Sequence, residues 1–104
     1  MRRGSTPTLT YQLPFSIDEI GDTIGVFWLT FSQKGVEVFT KTLDDVTIDK
    51  DIITCELSQE DTLSLESDEY VDMQIRMKLT DSQLVYTSEV MHARVERVLK
   101  GGLI

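Results

Sequence analysis

From Glu69 to Thr80 apolar and polar side chains alternate without a break, with Val71, Met73, Ile75, Met77 and Leu79 on one parity and Asp72, Gln74, Arg76, Lys78 and Thr80 on the other. Alternation over such a run predicts a strand with one buried and one wet face, roughly 40 Å long at about 3.3 Å per residue. Its Met and Ile side chains need a second apolar layer to cover them. The remaining runs supply it.

Thr8 to Leu13 alternates as well, with Leu9, Tyr11 and Leu13 on one side, and Pro14 stops it because proline cannot donate to a ladder. Ser16 and Glu19 have capping-box spacing around Ile17, with Ile20 and then Gly21 to close. A single helical turn is expected there, its isoleucines plugging one end of the core. Thr23 to Ser32 is apolar on both faces through Val26, Phe27, Trp28, Leu29 and Phe31, the pattern of a central strand or of one covered outside by another chain. Trp28 is read as core in preference to an exposed aromatic platform. Gln33, Lys34 and Gly35 read as a three-residue hairpin loop with Gly35 left-handed. Val36 to Thr42 then turns Val36 and Val38 one way and Glu37, Phe39 and Lys41 the other, leaving Phe39 apolar among charges.

Val46 and Ile48 make a short strand within the acidic stretch Asp44, Asp45, Asp49 and Asp51. Four aspartates invite a calcium reading, but no glycine-containing loop with a closing glutamate is present and Lys50 adds a positive charge. Turn chemistry is the preferred account, and no metal or cofactor is expected. Ile52 to Leu57 faces Ile53, Cys55 and Leu57 one way. Ser58 is placed to cap a short helix through Gln59, Glu60 and Asp61, with Leu63 and Leu65 returning to the core. Tyr70 stands where immunoglobulin-like domains keep a corner tyrosine. Asp81, Ser82 and Gln83 close a second hairpin, and Leu84 to about Val98 is a last strand whose parity changes partway, the mark of a bulge or of a passage between partners. These seven strands with closely spaced turns predict an all-β, immunoglobulin-like antiparallel β-sandwich with one or two helical turns.

The chain has 104 residues, 40% hydrophobic and 27% charged, the size of one domain. Residues 1–7 read as a flexible arm that packs on nothing in its own domain, 8–99 as the sandwich and 100–104 as a tail. A net charge of −8 argues against a nucleic-acid partner, and no run is long and apolar enough for a membrane span. Basic residues gather at the ends, as Arg2, Arg3, Arg94, Arg97 and Lys100, while most acids lie between Asp18 and Glu89. That asymmetry, with the aliphatic pair Leu103 and Ile104, has two readings: termini that contact an acidic surface such as a neighbouring copy, or ends that merely solubilise the chain. No apolar h-region follows Arg2 and Arg3, so synthesis and folding in a cytoplasm are expected. Cys55 is the lone cysteine and reads as a small buried hydrophobe.

Candidate chemistry is sparse. His92 is the only histidine and lies beside Met91 and Ala93, with no nucleophile elbow or oxyanion loop, so a surface or interface role is expected rather than a triad. No dinucleotide fingerprint, phosphate loop or zinc spacing appears, and the reading is not an enzyme. Phe39 and Tyr86, with nearby acids, are the candidate surface aromatics for a shallow sugar site.

The opening Met1-Arg2-Arg3-Gly4-Ser5-Thr6-Pro7-Thr8, the stretches Tyr11-Gln12-Leu13-Pro14-Phe15 and Leu57-Ser58-Gln59-Glu60-Asp61-Thr62-Leu63, and the closing Arg97-Val98-Leu99-Lys100-Gly101-Gly102 together resemble a family of small structural proteins from phages and prophages of Gram-positive bacteria. The resemblance implies a virion protein of the tail or baseplate region, with a fold similar to the immunoglobulin-like N-terminal domain of baseplate upper proteins. It implies homo-oligomers or other phage tail proteins as partners and carries over no catalytic residue. The alternative from the residues is a carbohydrate- or cell-surface-binding module.

Overall fold

A computed structural model describes the whole chain, Met1 to Ile104. The strands are β1 Thr8–Gln12, β2 Ile24–Gln33, β3 Val36–Lys41, β4 Val46–Asp49, β5 Ile52–Glu56, β6 Glu69–Leu79, β7 Val85–Thr87 and β8 Met91–Val95. Two short helices, α1 Ile17–Ile20 and α2 Gln59–Leu63, and a 3-10 turn Leu43–Asp45 link them. One antiparallel sheet has the order β1-β5-β4, and the other runs β3-β2-β6 with β7 and β8 both paired to β6. Lettered in chain order from B, these orders read B-E-D and C′-C-F-G, the immunoglobulin sandwich without a strand A beside B.

The long alternating strand lies at the centre as its pattern requires: Val71, Ile75 and Met77 are buried from β6 in one cluster with Phe27, Leu29 and Phe31 of β2 and Ile53 and Cys55 of β5, and Leu79 is buried farther along it. Each such side chain contributes about 1.5–3 kcal/mol on burial. The last strand breaks into β7 and β8 because Thr87 pairs with Arg76 whereas Met91 pairs with Met73, so four steps on one strand answer three on the other. The parity change is thus a bulge on a single partner strand.

Trp28 is not in the core. The inward positions of β2 fall to Phe27, Leu29 and Phe31, and the opposite parity leaves Trp28 47% exposed and Val26 42% exposed on the outer face. Phe39 moves the other way. The β2–β3 turn has two residues, Lys34 and Gly35, both with positive φ (53° and 76°), so Gln33 pairs with Val36. The surplus residue is taken up as a bulge that sets Phe39 opposite Phe31, with the rings stacked at 4.4 Å between centroids. Val36 is expelled to the surface instead.

Two capping expectations separate. Ser16 makes no side-chain cap to α1, although Gly21 ends it in the left-handed conformation, and only Ile17 packs on the core while Ile20 stays exposed. Ser58 Oγ does accept the Asp61 N–H at 3.1 Å, and Asp61 Oδ2 accepts the Ser58 N–H at 2.9 Å. Tyr70 is no corner tyrosine. It lies opposite Arg94 on the outer face of β6 and is 59% exposed.

The N-terminal arm is docked on its own domain rather than free. The Arg3 N–H donates to the Glu96 carbonyl at 3.0 Å, the Glu96 N–H to the Met1 carbonyl at 2.7 Å, and Thr62 Oγ1 to the Ser5 carbonyl at 2.8 Å. Hydropathy is silent about such a segment, because what holds it is backbone groups that seek partners whatever side chains they carry.

Candidate functional site

Two surfaces gather groups with chemical potential. The first is a cleft of about 620 Å³ at one end of the sandwich, lined by Tyr11 of β1, Tyr86 of β7, Phe15 and the acids Glu19, Asp51 and Glu89. The inward parity of β1 and the pairing of Tyr86 with Met77 turn both phenols toward the gap between the sheets. Their hydroxyls meet at 2.9 Å, and Tyr11 also donates toward Glu89 Oε2 at 3.4 Å. The Phe15 ring stands edge-on to Tyr86, 5.4 Å between centroids. Burial, then the Tyr86 hydroxyl and the Glu89 charge, push the Tyr11 phenol well above its ordinary pKa. The Tyr11 hydroxyl therefore stays protonated, its proton directed toward Glu89 while its oxygen meets the Tyr86 hydroxyl.

The second surface is the outer face of the larger sheet. Register places Trp28 beside Arg76 and Thr87, and Val26 beside Lys78 and Val85. Val26, Trp28, Met77 and Val85 with Arg76 and Lys78 line a groove of about 310 Å³. Two cations and no acid among these residues set the patch apart in a chain of net charge −8.

The residues named from sequence are dispersed. Arg2 bridges Glu96 at 2.8 Å, Arg3 donates to the Leu63 carbonyl at 2.8 Å, and Arg94 and Arg97 approach Asp68 at 3.6 and 4.0 Å. These four arginines face acids or carbonyls of their own chain. Leu103 and Ile104 are exposed, and the Ile104 N–H donates to Gln59 Oε1 at 2.8 Å. Phe39, half-buried, stacks on Phe31 against the core and Tyr86 lines the cleft, so the two candidate sugar-reading aromatics share no surface. His92 is exposed, its Nδ1 2.5 Å from Asp72 Oδ1. In the acidic stretch Asp45 accepts the Thr42 N–H at 2.8 Å and Asp51 accepts from Gln12 Nε2 at 3.0 Å. No three His, Cys, Asp or Glu side chains converge as metal ligands, and no helix is long and apolar enough to cross a membrane.

No protein-family model, no curated protein and no solved structure matches this chain.

The sequence pattern assigned Trp28 to the core and did not single out Tyr11. For Trp28 the signal was present, since a strand apolar on both faces has an outer face to be covered. Tyr11 shares parity with Leu9 and Leu13, and nothing in that pattern distinguishes a cleft wall from core.

Proposed function

We propose that the protein is a non-enzymatic structural component of a phage or prophage particle, in the tail or baseplate region, that works by protein–protein assembly. The supporting observation is the outer face around Trp28. Indole, two valines and two cation stems around a shallow groove on the sheet form an apolar centre with a charged rim, the make-up of a protein contact. Arg76 and Lys78 would draw an acidic partner surface and add to its arrival rate. The test is mass spectrometry of particles released by the organism that encodes the chain, with Trp28→Glu introduced in parallel. The chain should be recovered in stoichiometric amount, and Trp28→Glu should lose it from particles while the isolated variant keeps its fold. Particles that lack the wild-type chain would overturn the reading.

A second reading is a carbohydrate- or cell-surface-binding module, favoured by the Tyr11–Tyr86–Glu89 cleft. Paired phenols and flanking carboxylates suit a sugar's hydroxyls. A glycan array decides it: a hit lost in Tyr86→Ala supports the cleft, and no hit removes this reading.

A further inference from the structure

β1 has one open side, because within its sheet it pairs only with β5. Its ladder phase is fixed at both ends, where the Leu57 N–H donates to the Pro7 carbonyl at 3.0 Å and the Leu13 N–H to the Asp51 carbonyl at 2.7 Å. Alternate residues of an antiparallel strand address its neighbour, so Leu9 and Tyr11 face β5. The N–H and C=O groups of Thr8, Thr10 and Gln12 point to the open side. An immunoglobulin sandwich has strand A there. Here the N-terminal residues run to Glu96 instead and leave the place vacant.

The other sheet edges are guarded. β3 carries Glu37 and Lys41, β4 ends in Asp49, β8 carries His92 and Arg94, and β7 is only 3 residues long. Charge and shortness are the means by which edges avoid pairing. β1, Thr8-Leu9-Thr10-Tyr11-Gln12, has 5 residues and no charge, in a chain of net charge −8. Beneath its open side lies an apolar slot of about 210 Å³ between the sheets, lined by Leu9, Tyr11, Ile53, Met73 and Met91 among others.

We infer that β1 is the contact strand of a two-fold dimer, pairing antiparallel with β1 of a second copy so that Thr10 lies opposite its own equivalent. The occupant follows from self-complementarity. Three free residues centred on Thr10 put Thr8 opposite Gln12 of the other copy and Gln12 opposite its Thr8, which is what an isologous contact requires. Charge permits the same choice: a net charge of −8 on each chain opposes association in general, and β1 is the edge of this length that sets no charged side chain of one copy against its like in the other. The pairing joins two three-stranded sheets into one and brings the two apolar slots side by side. The dimer supplies a partner for one contact of the assembly proposed above and rests on that reading for its purpose.

Thr10→Cys tests the register in the full chain. The native Cys55 is buried and out of reach, and across a hydrogen-bonded antiparallel pair the Cα atoms sit about 5.5 Å apart, within disulfide range. Mild oxidation should give a covalent dimer from Thr10→Cys and none from Thr8→Cys. Thr10→Pro removes only an N–H on the open side and leaves the β1–β5 ladder intact. In equilibrium sedimentation it should weaken the dimer about 30-fold, because two hydrogen bonds are lost across the axis. Wild-type protein that stays monomeric at every concentration reached overturns the dimer, as does equal cross-linking of both cysteine variants. A dimer indifferent to Thr10→Pro but broken by Trp28→Glu also overturns it, while leaving the assembly reading standing. Absence of the chain from particles, with the dimer intact, does the reverse.

Discussion

Ser88 and Ile75 satisfy one another across the bulge that splits the last strand: the Ile75 N–H donates to Ser88 Oγ at 2.9 Å and the Ser88 N–H donates to the Ile75 carbonyl at 2.8 Å. Ser88 is 4% exposed, and its hydroxyl also donates to the Glu89 carbonyl. The side chain thus stands in for the backbone acceptor that the bulge withdraws from the ladder. Ser88→Ala leaves the Ile75 N–H buried without a partner and is expected to cost about 1–3 kcal/mol. Thermal or urea unfolding measures the loss, and Ser88→Thr, which keeps the hydroxyl, should recover part of it.

Phe27 and Trp28 are neighbours in sequence on opposite faces of β2. Phe27→Ala should cost about 3–5 kcal/mol by emptying the core, whereas Trp28→Ala should stay within about 0.5 kcal/mol in the isolated protein. Acrylamide should quench the native indole fluorescence readily. A tryptophan shielded from quencher and costly to remove would contradict this assignment of faces.

Asp22 holds the β6–β7 turn by accepting the Asp81 N–H at 3.1 Å, the Ser82 N–H at 3.0 Å and the Thr23 N–H at 2.7 Å. Those donors, Asp81 first, lower its pKa from 3.8 to about 2. A depressed folded pKa means that the contribution is complete above 3.8 and disappears as pH falls through about 2. An NMR titration of the carboxyl carbon should report the low value. Asp22→Ala should speed amide exchange at residues 81 and 82.

Asp61 and Lys41 meet at 2.7 Å with side chains only 17% and 18% exposed. Burial works against the Asp61 charge, but Lys41 and the Ser58 N–H outweigh it and hold the carboxyl below its ordinary 3.8. Its stabilising effect is therefore present above that value and is lost in acid below it. In Asp61→Asn, unfolding free energy should fall at neutral pH and depend less steeply on pH at the acid end.

Deleting residues 1–5 should destabilise the domain by about 2 kcal/mol, since the Glu96 backbone loses its partners and the Thr62 hydroxyl keeps only the longer bond to the Gln59 carbonyl, 3.3 Å. Equality of the truncated and full chains in denaturant would restore the reading of a free arm.

Much of the layout was legible from sequence because a period of two states a face. The alternation from Glu69 to Thr80 places β6, and the parities of Leu9, Tyr11, Ile53 and Cys55 place the smaller sheet beneath it. Ser58 with Asp61 announced α2, and the parity change after Leu84 announced a bulge. Tertiary structure alone decided the rest. Whether Phe39 or Val36 turns toward the core depends on a turn one residue shorter than read and the bulge that compensates it, and one step of register exchanges the two faces of a strand. Trp28 is apolar on either face, so only its partners across β6 show that it looks outward. The first residues carry no hydropathy signal, and where they lie is settled by the hydrogen-bonding groups that Glu96, Thr62 and Arg94 leave within reach. The sequence by itself determined which side chains share a strand face; how the strands slide, bulge and meet is a matter of long-range hydrogen bonding, to which local pattern is blind.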